Sequence, residues 1–143
     1  DIYEMRIQLA MLIGTMSSRV ITTEACDQAS LLLEKAKILQ NNFISKQYLE
    51  LNHQLHNLVA SLIDNTLLES FWHQTYYQAA STWYQVAQLA EQESALALVK
   101  ELQELVEALE KNDLHAVGFV QRVHIGYGYQ RIKEYLFTNS SSF

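Results

Sequence analysis

Asn52 and His56 stand four residues apart in the run LELNHQLHNLVASLIDNTLL, and His124 follows far downstream, after an Asn112-Asp113 break. Helical neighbours at i and i+4 share a face, so Asn52 and His56 can point at one site. Polar groups on an otherwise apolar stripe need partners or a ligand. Three chemistries fit such a set. Two imidazoles and an amide oxygen can hold a metal ion, although a firm zinc site wants four donors, or three plus water. The same side chains can be core or capping residues satisfied by their neighbours. They can also line a polar pocket for an organic ligand.

Arg6 sits among Ile2, Met5 and Leu9. It is either a surface arginine lying over apolar side chains or an anion clamp, since guanidinium binds carboxylate in bidentate fashion. Phe71, Trp72, Tyr76, Tyr77, Trp83 and Tyr84 form an aromatic series that reads first as core. Tyr76, Tyr77 and Trp83 could also wall a pocket with hydroxyl and indole N–H as polar handles. His53 lies one residue off the His56 face, His73 follows Trp72, and His115 is expected in solvent. The series Glu101, Glu104, Glu107 and Glu110 has helical period and reads as a solvated face. Cys26 reads as a small buried hydrophobe. No Ser/His/Asp set, Gly-rich phosphate loop or paired carboxylates stand out, so the chain is not expected to be an enzyme.

The elements that must position these residues are helices. There is no proline, there are only four glycines, and no segment alternates for long like a strand. Helix one is expected from Ile2 to Arg19, with Met5, Leu9, Leu12, Ile13 and Met16 on one stripe. Thr22 or Thr23 can cap helix two, which fades at Asn41-Asn42. Ser45 is the expected cap of helix three, and Thr66 with Glu69 forms a capping-box pattern for helix four. The stretch from Val86 to Glu93 is either loop or continued helix. Helix five spans about Ser94 to Glu110, and Asp113 caps helix six, which runs to Phe137. The expected fold is an all-α antiparallel bundle of six or seven helices over residues 1–137, followed by a loose tail over 138–143.

The 143 residues suit one domain with a real core, and 49% hydrophobic content fits a folded chain. No run approaches a membrane span, and a single cysteine suits a reducing, cytoplasmic setting. The chain opens on Asp1 and not on Met, as a fragment or processed chain would. A net charge of −6 without a basic cluster argues against this piece gripping nucleic acid itself.

Three segments carry a resemblance. DIYEMRIQLAMLIG, YLELNHQLHNLVASLIDNTLLESFW and VEALEKNDLHAVGFVQRVH occur in that order, and together they resemble the C-terminal effector domain (FCD-like) of GntR-type transcription regulators in the FadR branch. The likeness spans most of the chain and is weakest between Ala79 and Val99. It implies a ligand-sensing helical domain that follows an N-terminal winged helix-turn-helix absent from this sequence. It implies a homodimer, operator DNA bound by that other domain, and an effector that is a small carboxylate or an acyl-CoA. Many relatives hold a divalent ion, zinc or nickel, with one Asp and three His. Those positions fall on Asn52, His56, Leu102 and His124, so His56 and His124 are the two retained ligands of a degenerate site. Arg6 matches the arginine that faces the effector, the Glu expected four residues later is Ala10, and Asn65 matches a motif asparagine. The expected ligand-binding set is therefore Arg6, Asn52, His56, Asn65, Tyr76 and His124. A metal-dependent helical enzyme and a ligand-free interaction module are the rival expectations.

Overall fold

The computed structural model describes residues 1–18 and 20–137; Arg19 and the expected tail lie outside the described residues. Six α-helices follow in order: α1 Ile2–Met16, α2 Thr23–Asn41, α3 Ser45–Ser61, α4 Thr66–Leu89, α5 Glu91–Glu110 and α6 Leu114–Ile132. A π-helical turn, Lys133–Phe137, ends the described chain, where the sequence suggested that α6 itself continued. The stretch around Val86 is helical. One residue, Ala90, separates α4 from α5.

Local chemistry sets most boundaries. The Asp1 carboxylate accepts from Tyr3 N at 2.7 Å, Thr22 Oγ1 from Ala25 N at 3.1 Å, and Asp113 Oδ1 from Ala116 N at 3.0 Å. Each satisfies an orphan N–H in a first helical turn. Two expected caps differ. Ser45 lies inside α3, whose N-cap Ile44 makes no side-chain hydrogen bond. Asn65, not Thr66, caps α4, accepting from Leu68 N at 2.9 Å. Asn112 takes a left-handed φ of 54° between α5 and α6, a conformation that asparagine tolerates.

The α1 stripe also differs from expectation. Leu9 and Ile13 are buried, with Tyr3, Arg6 and Ala10 beside them. Met5, Leu12 and Met16 are exposed and meet Leu67 and Phe71 of α4 along an outer apolar groove. The sequence stripe merged two faces of one helix, because an apolar arc wider than the core contact leaves a second apolar side.

The most extensive helix–helix contact is between α1 and α6. A Cβ on Gly118 would lie 2.5 Å from the Ala10 carbonyl oxygen, and one on Gly14 would lie 2.6 Å from the His115 Cα. Both clashes are with backbone, which cannot swing away. Gly118→Ala is therefore expected to destabilise the fold by about 2 kcal/mol, the cost of overpacking, read as a lower urea midpoint with an unchanged slope. An unchanged midpoint would show that the crossing has slack.

Candidate functional site

Helices α1, α3, α4, α5 and α6 line a partly open cavity of about 80 Å³. Its lining includes Arg6 from α1, Asn52 and His56 from α3, and Tyr76 from α4. Glu101 comes from α5, and Gln121, His124 and Arg131 from α6. Five of the six sequence-expected positions thus share one cavity. Asn65 does not; it caps α4 and borders the outer groove.

Arg6 is 7% exposed, and its Nε has no hydrogen-bond partner. The guanidinium carbon lies 5.8 Å from the Trp72 ring centroid and 5.5 Å from that of Tyr76. Two ring faces offset part of the desolvation of a buried cation, but they accept no conventional hydrogen bond. Burial lowers the Arg6 pKa from its usual value; arginine starts so high that it stays charged.

His56 is sandwiched by chemistry that keeps it neutral. Its ring stacks on Tyr76 at 3.8 Å between centroids and 10° between planes. Its Nε2 is 2.8 Å from His73 Nδ1, one of the two donating, while its buried Nδ1 has no partner. Burial, and then the neighbouring His73 and Arg6, push its pKa down to about 3. His53 hydrogen-bonds through Nδ1 with the Tyr76 hydroxyl at 2.6 Å, and burial raises the Tyr76 pKa. His53 and His73 therefore brace the ring cluster. His115 is exposed, as expected.

The metal expected from the resemblance must be tested against these donors. Asn52 is neutral, and its Nδ2 donates to Tyr48 O at 2.8 Å. Leu102 is fully buried in the core and is not part of the cavity lining. His124 pairs through Nε2 with Glu104. Among the described residues no three His, Cys, Asp or Glu side chains are grouped so as to share an ion. The residues present do not fit the four-ligand metal site of the relatives.

Sequence reasoning placed Glu101 in a solvated acidic face, and the structure corrects this. Glu104, Glu107 and Glu110 are exposed, but Glu101 turns into the cavity. Gln121 Nε2 donates to its Oε2 at 3.0 Å, and burial raises its carboxyl pKa against the pull of His124, Gln121, Arg6 and Arg131. A signal existed. Glu101 is three residues after Leu98 and four before Leu105, so it lies on the core stripe of α5. Gln121 and Arg131 gave no comparable signal, since neither interrupts a clear apolar periodicity.

The FCD domain family model matches residues 1–126, and the chain belongs to that family. FCD domains are the C-terminal effector-binding domains of GntR-family regulators, a regulatory class. Searches of curated proteins and of solved structures returned no match. No helix among the described residues is long and apolar enough to cross a membrane.

Proposed function

We propose that this domain senses a small organic acid, whose carboxylate docks on Arg6 inside the helical cavity. The observation that carries this is Arg6 itself: a buried guanidinium, lining the cavity between the helices, with Nε unpartnered. An anion supplies what the two aromatic faces cannot. Asn52, through its amide oxygen, His56, through Nδ1, and His124 supply further polar contacts. Size favours a small acid over an acyl thioester. A cavity of 80 Å³ has room for about five to eight water-sized groups, whereas pockets for larger ligands run to several hundred Å³.

Binding would act by population shift. The domain would exist in two arrangements relative to a separate winged-helix domain of the same cytoplasmic regulator, and the acid would favour one, altering affinity for operator DNA. The regulator would work as a homodimer, because paired half-sites call for a two-fold protein. Met5, Leu12, Met16, Leu67 and Phe71 offer an exposed apolar surface for a self-complementary contact.

Calorimetric titration of the domain with acetate, propionate and L-lactate tests the proposal. At least one acid should bind, and Arg6→Ala should weaken it by about 100-fold or more, as expected for truncating one side of a buried charged pair. Equal affinity in the variant would refute the role of Arg6.

A further inference from the structure

Arg6 is not the only charge that the cavity leaves unmatched. Glu101 lines the same space from α5, and its one hydrogen bond among the described residues comes from the neutral Gln121 amide. An ionised carboxylate offers about four acceptor sites, so most of its capacity is unused. Arg6 and Glu101 do not form an ion pair with each other. They are carried by helices with different main neighbours: α1 packs chiefly on α6 and α4, and α5 on α2 and α6. Arg6 and Glu101, opposite in charge, therefore line one small cavity without an ion pair between them, and Arg131 of α6 lines it as well.

Each is costly in that state unless something joins it. A simple carboxylate would satisfy Arg6 and leave Glu101 as it is. An amine alone would do the reverse. A single small molecule carrying both an anion and a cation satisfies both at once.

Resting on the acid-sensing proposal above, we infer that the cavity recognises a small α-amino acid as its zwitterion. Its carboxylate sits on Arg6, and its ammonium is held by the Glu101 carboxylate that Gln121 orients. The cavity volume limits the side chain to little more than that of alanine or serine. Glu101 is then the specificity element that tells an amino acid from the hydroxy acid or plain acid of the same shape. It does so because the half-buried carboxylate, hydrogen-bonded only by Gln121, gains an ion-pair partner only when the ammonium is present.

The test is a matched series on the intact 143-residue chain: L-alanine, L-lactate and propionate, with glycine and L-serine as size controls. L-Alanine should bind at least about tenfold more tightly than lactate or propionate. Glu101→Gln should bring L-alanine to within about threefold of lactate, through loss of L-alanine affinity, while Arg6→Ala weakens all three. Helicity and melting of Glu101→Gln are checked first. Should that variant not fold, the wild-type series decides alone. Equal binding of L-alanine, lactate and propionate, lost in Arg6→Ala, overturns this inference and leaves the acid-sensing proposal standing. No binding of any amino acid at about 10 mM also overturns it, and if the acids fail too, both proposals fall.

Discussion

Acidification from pH 7 to pH 4 is expected to remove roughly 3 kcal/mol of folding stability through His56 alone. Folding holds the His56 pKa near 3, whereas an unfolded histidine titrates near about 6.5. Between those values the unfolded chain binds a proton that the folded chain refuses. The stabilisation is therefore complete above the unfolded value and is lost as pH falls through the window toward 3. The physical cause is first burial, at 4% exposure, and then the neighbouring His73 and Arg6. Other groups also titrate in this range, so the experiment is a comparison. Urea unfolding of the wild type and of His56→Phe at pH 7 and pH 4 isolates the contribution. Phenylalanine keeps the stacking on Tyr76 and removes the titration. The wild-type curve should fall about 3 kcal/mol further than that of the variant. Parallel curves would mean that His56 accepts its proton without unfolding.

The second large effect belongs to Leu102. The resemblance placed a metal-ligand position there, but the side chain has no exposed surface and packs in the core beside Leu98, Leu105 and Leu109. Leu102→Ala should cost about 3 kcal/mol, the sum of lost apolar burial and a cavity that rigid helices close poorly. Acid affinity, measured where the variant is still folded, should change less than about twofold, because Leu102 is not among the residues lining the cavity. A large loss of affinity with little loss of stability would place Leu102 in the site after all.

These two residues show what was legible in the sequence. The helical count, most boundaries and the shared face of Asn52 and His56 follow from period and from capping chemistry, which are local; that His124 meets them depends on how α6 packs, which is not. The caps at Thr22 and Asp113 were readable because each leaves the hydroxyl or carboxylate just ahead of an apolar run. Ser45 and Thr66 misled by one residue each, because the chain offers two adjacent polar residues or none at the true N-cap. The inward turn of Glu101 was partly legible from its place on the α5 stripe, but its acidic neighbours at i+3 and i+6 disguised it. Arg6 could be read either way until α4 supplied Trp72 and Tyr76 as the surfaces over which it lies. Which apolar residues of α1 face outward depends on which helices pack against it, and that is a non-local fact.

The glycine crossing of α1 and α6 bears on how the domain can move. Where two helices touch through backbone, no side chain can re-rotamer to take up a displacement, so the pair behaves as a stiff spine. Arg6 rides on one half of that spine, and Gln121, His124 and Arg131 ride on the other. Their mutual spacing is set by the crossing. Any breathing of the cavity then falls to α3, α4 and α5, which carry Asn52, His56, Tyr76 and Glu101 as the jaw that closes against it.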